Sequence, residues 1–195
     1  MGKPGIKYIS QEEYLEFERL ATEKHEYFDG EIFAMSGASI LHNIIFRNTF
    51  GKIINKLKGK KCQPFGSDLR IHIPENTLYT YPDLSIICGE IETTDENFDT
   101  ATNPKVIFEI LSKSTRGYDK GDKFALYRKI KSFQEYILID SRSVLVEKYV
   151  KNQDNSWQLT EYRSLDLSLK IESVGVELKL SDIYDGVKFD QIFSQ

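Results

Sequence analysis

Two segments, Tyr81-Pro82-Asp83-Leu84-Ser85-Ile86-Ile87-Cys88 and Val106-Ile107-Phe108-Glu109-Ile110-Leu111, decide how this chain folds. Residues 84–88 and 106–111 are apolar, rich in β-branched side chains and too short for helices, which predicts two buried strands. Each segment carries one carboxylate at or near its end, Asp83 in the first and Glu109 in the second. A carboxylate among such neighbours is expensive to desolvate unless it is paired, hydrogen-bonded or bound to a metal. Asp83 and Glu109 are therefore the first candidates for chemistry.

Downstream of Glu109, the turn-rich Ser112–Gly117 leads to a helix expected from about Lys120 to Ile130 and a strand over Glu135–Asp140. Strand, helix, strand over this length is a βαβ unit with parallel strands. Upstream, Ser10-Gln11-Glu12-Glu13 has the form of a capping box and opens a helix to about Leu20, with Tyr14, Phe17 and Leu20 along one side. Asp29-Gly30, between aromatic and aliphatic runs, signals a hairpin turn. Helical spacing of Leu41, Ile44, Ile45, Ile53, Ile54 and Leu57 predicts a helix over 40–57, and Gly59 suits its stop. Lys61–Phe65 and Asp68–Ile73 read as strands, with His72 either at the surface or internally satisfied. The loop from Gly89 to Pro104 is polar and acidic enough to be mobile. Beyond Asp140 the chain reads as β-structure over 144–150, 157–162 and 167–171, with a short helix near Ser181–Tyr184. The expected class is α/β (α+β): a mixed central sheet flanked by helices, in one domain with a core over about 10–140 and a β-rich C-terminal part over about 141–195.

The composition, 40 % apolar and 29 % charged, is that of a globular domain. No apolar run is long enough to span a bilayer, and Met1-Gly2-Lys3-Pro4-Gly5 does not begin a signal peptide, so the cytoplasm is the expected location. Two cysteines, Cys62 and Cys88, are too few for a disulfide framework. Neither the glycine-rich phosphate loops nor G-x-S-x-G occurs, and the cysteines and three histidines lack zinc spacing. The net charge of −4 hides a contrast: Lys113 to Lys131 carries seven bases against two acids, whereas Glu90 to Asp99 carries five acids and no base. A second basic cluster, Lys52, Lys56, Lys58, Lys60 and Lys61, closes the second helix.

Two converging strand-borne carboxylates suit a hard divalent cation such as Mg²⁺, which takes a few oxygen ligands and keeps its waters. The basic stretch after Glu109 favours an anionic substrate. Lys123, four residues after Asp119 on the same expected helix, would project near the site if that helix packs over the strand ends. Such a set suits phosphodiester hydrolysis, the metal generating the nucleophile and the lysine offsetting developing charge.

The linked motifs Tyr81-Pro82-Asp83, Glu109-Ile110-Leu111-Ser112-Lys113-Ser114-Thr115 and Asp119-Lys120-Gly121-Asp122-Lys123-Phe124-Ala125-Leu126-Tyr127 resemble those of the Uma-two family of restriction endonucleases. His25–Ile32, Gly37–Asn43 and Gly66-Ser67-Asp68 are similar to that family's upstream signatures, so the resemblance spans roughly Tyr14 to Tyr184. It implies a restriction-endonuclease-like core of the PD-(D/E)XK superfamily, with Pro82-Asp83 as the PD and Glu109 as the second acid. Leu111 stands where the superfamily pattern has lysine, and the resemblance points to Lys123 as its replacement, with Lys120 or Lys113 as substitutes. It further implies Glu31 as an additional metal-side carboxylate and His42 as a residue reaching the site. The expected activity is a Mg²⁺-dependent endonuclease acting on DNA, with Mn²⁺ as substitute ion. Lys113, Arg116 and Lys120 would contact phosphate, and a homodimer would cut both strands. The competing expectation is a nuclease-fold binding module without catalysis.

Overall fold

The computed structural model describes residues 8–189; the N-terminal Met1–Gly5 lies outside them. Helix α1 (Gln11–Leu20) opens on the Ser10–Glu13 capping box, each side chain bonding the other residue's backbone amide. Strands β1 (His25–Phe28) and β2 (Glu31–Ala34) form the expected hairpin, with Asp29 at φ 46° and Gly30 at φ 86° in the left-handed pair that a two-residue turn requires. Helix α2 runs Ile40–Leu57, capped by Ser39. Then follow β3 (Cys62–Gly66), β4 (Arg70–Ile73), β5 (Leu78–Thr80), β6 (Leu84–Cys88), β7 (Thr100–Ala101) and β8 (Pro104–Leu111). Helices α3 (Arg116–Lys120) and α4 (Asp122–Tyr127) lead to β9 (Glu135–Asp140), β10 (Val146–Lys151), β11 (Trp157–Tyr162), β12 (Ser168–Ile171), β13 (Val176–Lys179) and α5 (Leu180–Ile183).

Six strands form the central mixed sheet in the order β11-β10-β9-β8-β6-β3. The β8–β9 pair is parallel, as the βαβ reading requires, and the other pairs are antiparallel. The C-terminal strands β10 and β11 extend this same sheet. A second sheet, β2-β1-β5-β4-β7, and the β12–β13 ribbon complete the fold. Alternation along β8 divides the core. Val106, Phe108 and Ile110 face α2, α5 and the ribbon, whereas Ile107 and Leu111 face β4, β5 and α4. Glu109 shares the parity of the second set.

Four expectations need correction. The single helix over 120–130 is two short helices broken at Gly121, whose backbone (φ −109°, ψ −96°) leaves the helical region. On α1 the buried residues are Tyr14 and Glu18, while Phe17 and Leu20 are 46 % and 87 % exposed. Glu18 is kept inside by the His25 amide and the Tyr81 hydroxyl. The acidic segment 89–104 is anchored rather than loose: Arg19 pairs with Asp95 and Asp99, and β7 within it pairs with β4. Cys62 and Cys88, opposite each other on β3 and β6, are joined in one disulfide. His72 is internal, its Nδ1 within 3.1 Å of the Leu78 carbonyl oxygen.

Candidate active site

Antiparallel pairing sets Leu84 opposite Phe108, so Asp83, just before β6, reaches the level of Glu109 and Ile110. The Ile110 amide donates to Asp83 Oδ2 at 2.6 Å, and the Asp83 amide lies 3.4 Å from Glu109 Oε2. Each acid is thus held against the other's strand. On the α4 side, Lys123 Nζ lies 3.0 Å from Glu109 Oε1, 3.1 Å from Glu26 Oε1 and 3.9 Å from Asp119 Oδ1. One turn further on, Tyr127 donates its hydroxyl to Glu109 Oε1 at 2.9 Å. The Tyr136 hydroxyl donates to the Asp119 carbonyl at 3.0 Å and ties α3 to β9. Tyr118 borders the cluster at its open side, its ring centre 5.9 Å from Lys123 Nζ.

Two further elements complete the cluster. Tyr27 on β1 pairs with Tyr79 on β5, which brings Glu26 beside Thr80, whose hydroxyl donates to Glu26 Oε1. His42, in the first turn of α2, places Nε2 3.1 Å from Asp83 Oδ1. The cluster therefore gathers four carboxylates, one lysine and one imidazole from β1, α2, the start of β6, β8, α3 and α4.

Burial sets the proton affinities. Desolvation pushes Glu109 up to about 8 against the pull of Lys123, with Asp83 and Asp119 adding to the rise. Burial works against the charge on Lys123, but Glu109, then Tyr127, Glu26 and Asp119, hold its proton well above the ordinary lysine range. Asp119 is raised by burial, with Lys123 opposing. Burial thus favours the protonated form of two of the four carboxylates around the one buried ammonium.

Of the residues singled out from sequence, Asp83, Glu109, Lys123 and His42 come together. Glu31 does not: it is exposed at the turn end of the hairpin, opposite Phe28, and the inward carboxylate of that hairpin is Glu26. Arg116 and Lys120 are engaged elsewhere, pairing with the buried Asp140 and Glu147. Lys113 is exposed. Leu111 is buried among Phe124, Tyr127 and Leu138, so a core side chain occupies the position of the absent lysine. Glu26 was the residue missed. Its visible signal was only a carboxylate beside two aromatics in the hairpin's first strand.

Among the described residues no group of three or more His, Cys, Asp or Glu side chains is arranged to hold a metal ion. Nor, among them, is any helix long and apolar enough to cross a membrane.

A family model described as "Putative restriction endonuclease", Uma2, matches residues 11–181. The chain belongs to the Uma2 family. Two uncharacterized proteins of Synechocystis sp. (strain ATCC 27184 / PCC 6803 / Kazusa) are similar along most of their length. The protein slr1290 is 39 % identical over 93 % of this chain and 94 % of its own length. The protein sll1609 is 41 % identical over 80 % and 88 %. A crystal structure from Anabaena variabilis ATCC 29413, described as "a putative nuclease belonging to DUF820", matches with a TM-score of 0.75 and 20 % identity. It covers 92 % of this chain and 99 % of its own, so the Uma2 chain has the fold of that protein.

Proposed function

We propose that this Uma2 protein is a Mg²⁺-dependent endonuclease that hydrolyses DNA phosphodiester bonds, with Mn²⁺ as a substitute ion. One observation carries the reading: the buried ammonium of Lys123 lies 3.0 Å from Glu109, on the carboxylate that the Asp83 segment also touches. That is acid, acid and lysine in one place, although the lysine is absent from position 111.

The donor set fits a hard cation. Asp83 and Glu109 offer carboxylate oxygens only, and among the described residues Glu109 Oε2 has no hydrogen-bond partner closer than the 3.4 Å amide. With two side-chain ligands the ion would keep most of its waters, as Mg²⁺ does. When bound, it supplies Lewis-acid stabilisation of charge on the phosphoryl oxygens and makes water a better nucleophile.

The remaining work falls to the chain. Lys123 holds a fixed positive charge beside the acids, where a phosphate gains negative charge in its transition state. Glu26 and Asp119 keep that ammonium from swinging away, and Thr80 keeps Glu26 in place. Tyr127 fixes the Glu109 carboxylate through Oε1 and leaves Oε2 for a ligand. The His42 ring stands beside the Asp83 carboxylate, Nε2 3.1 Å from Oδ1, and limits where it can swing. Leu111, Phe124 and Tyr127 form a dry wall behind the acids, which strengthens each of these charges. Cutting both strands of a duplex calls for two such sites, which a homodimer would provide.

The test is purified protein with supercoiled plasmid in Mg²⁺, Mn²⁺ or EDTA. Metal-dependent nicking that Asp83→Asn and Lys123→Met each remove is the expected result. Nicking that survives Asp83→Asn would move the site, and no nicking by folded wild-type protein in either metal would overturn the enzyme.

A further inference from the structure

Helix α2 is 18 residues long and contains no acidic residue, in a chain where Asp and Glu outnumber Lys and Arg by 30 to 26. Its buried side is Ile45, Thr49, Ile53 and Leu57. With 3.6 residues per turn, the opposite side carries Asn43, Arg47, Gly51, Ile54, Asn55 and, at the C-cap, Lys58. All of these except Gly51 are exposed. Among the described residues the side chain of Arg47 bonds only its neighbour Asn48, and Lys58 has no side-chain partner. Lys52 and Lys60 are different, since Asp182 and the Gly175 carbonyl already engage them.

Gly51 has no structural reason to be glycine. A Cβ built there meets nothing within 4 Å, and glycine in a helix interior is less stable than alanine. A glycine facing open space in the middle of a basic helix allows the backbone of another molecule to come close. The first turn of the helix lies at the acids, because His42, on the buried side three residues before Ile45, contacts Asp83, and a strand on the outer face would reach them round the start of the helix. From His42 to Lys58 the helix rises about 24 Å, which matches about seven base-pair steps of duplex.

We propose that the outer face of α2, from Asn43 to Lys58, is the docking surface for the phosphate backbone of duplex DNA and leads one strand to Asp83 and Glu109. The end point of this track rests on the nuclease reading; the charge pattern of the face does not. Arginine, lysine and asparagine without an acid among them are the side chains that contact phosphates. Single strands are held instead by stacking bases on aromatic rings. The aromatics of this helix, Phe46 and Phe50, stack on each other against the core. In the basic stretch after Glu109, Arg116, Lys120 and Lys123 are already paired with acids, and Lys129 and Lys131 serve as the comparison for the α2 face.

The experiment is fluorescence anisotropy of a labelled DNA duplex with full-length protein in EDTA, over a series of NaCl concentrations. Each phosphate contact contributes about 0.9 to the slope of log affinity against log salt. Arg47→Gln/Lys58→Gln should therefore lower the slope by about 1.8, while Lys129→Gln/Lys131→Gln leaves it unchanged. Gly51→Gln should raise the melting temperature and weaken binding, a pair of directions that a purely structural glycine would not give. An unchanged slope in the Arg47/Lys58 variant, an equal loss in the Lys129/Lys131 control, or no duplex binding by folded wild-type protein would each overturn the proposal. Plasmid nicking measured alongside separates the two readings. Nicking by a wild type whose slope ignores Arg47 and Lys58 removes the track alone. Binding that depends on them, without nicking in Mg²⁺ or Mn²⁺, supports the track and removes the nuclease.

Discussion

Replacing Lys123 with methionine removes one charge and leaves three carboxylates around the space it filled. The lysine side chain is 6 % exposed, and its Nζ lies 3.0, 3.1 and 3.9 Å from Glu109, Glu26 and Asp119. Methionine replaces the aliphatic stem but offers nothing to the acids. Deleting one partner of a buried ion pair costs about 3–5 kcal/mol, because the surviving charge is uncompensated. In a domain of this size each kcal/mol lowers the melting temperature by about 2–4 °C. A fall of about 6–20 °C at pH 8 is expected from those two ranges.

The loss should depend on pH in a definite direction. Burial raises Glu109 to about 8 in the folded protein, against an ordinary value of 4.5. A group raised on folding contributes stability that is fully present below its unfolded value and disappears as pH rises through its folded value. Removing Lys123 takes away the main force holding Glu109 down and moves its folded value higher still. The gap between wild type and variant should then be flat from pH 4.5 to about 7, where Glu109 is protonated in both folded proteins, and widen as pH rises through 8 and above. Urea or calorimetric unfolding at several pH values measures it. Adding Glu109→Gln to the variant should recover part of the loss, since these neighbours share one network and are not additive. A gap below about 1 kcal/mol at pH 8, the worth of an exposed pair, or a gap independent of pH would falsify the account of a buried, charge-balanced centre.

Other outcomes follow from the same geometry. Glu26→Gln should slow metal-dependent nicking by about 10- to 100-fold, the usual effect of loosening a supporting group, while the exposed Glu31→Gln leaves the rate unchanged; equal effects on plasmid nicking would count against the Glu26 assignment. Mg²⁺ at 100 times its dissociation constant should stabilise the protein by about 2.7 kcal/mol. Because the ion needs Glu109 ionised, and burial keeps that carboxyl protonated up to about 8, the thermal shift relative to EDTA should be larger at pH 8 than at pH 6. Cys62→Ser opens a disulfide that links residues 26 apart, and should cost about 3.5 kcal/mol by loop entropy while leaving nicking intact in a urea-free assay.

Where a segment carried its own end signals, the sequence was enough. Helix α2 begins after Ser39 and ends just before Gly59, as read, because its cap and its stop are local. Strands β9 and β11 have the expected bounds, since each is a run whose neighbours turn. Strands β5 and β7 were not legible, for they hold three and two residues and show no period. The break at Gly121 was hidden for another reason. The helical spacing of Phe124, Tyr127 and Ile130 lies wholly beyond it and says nothing of the turn before, which is set by the packing of α3 and α4 over the sheet. The inward side of α1 was misread because periodicity counts apolar residues. Glu18 is buried by partners on β1 and at Tyr81, the second of them 63 positions away.

The site divides along the same line. Asp83 and Glu109 stood out because an acid beside a buried strand is costly anywhere, whereas Glu26 acquires meaning only from Thr80, 54 positions on, and from Lys123 on α4. The displaced lysine explains why that extra carboxylate exists. A lysine two residues after Glu109 would share its strand face, and the backbone alone would fix where it pointed. Leu111 fills that position with core instead. A lysine arriving from a helix reaches its acid through four methylenes and several rotamers, so its ammonium must be confined from more than one side. Glu26 on β1 and Asp119 on α3 supply those sides, and Thr80 in turn confines Glu26. Moving the lysine from strand to helix thus requires a clamp that a strand-borne lysine does not. It is the clamp, rather than the acids, that tertiary structure had to reveal.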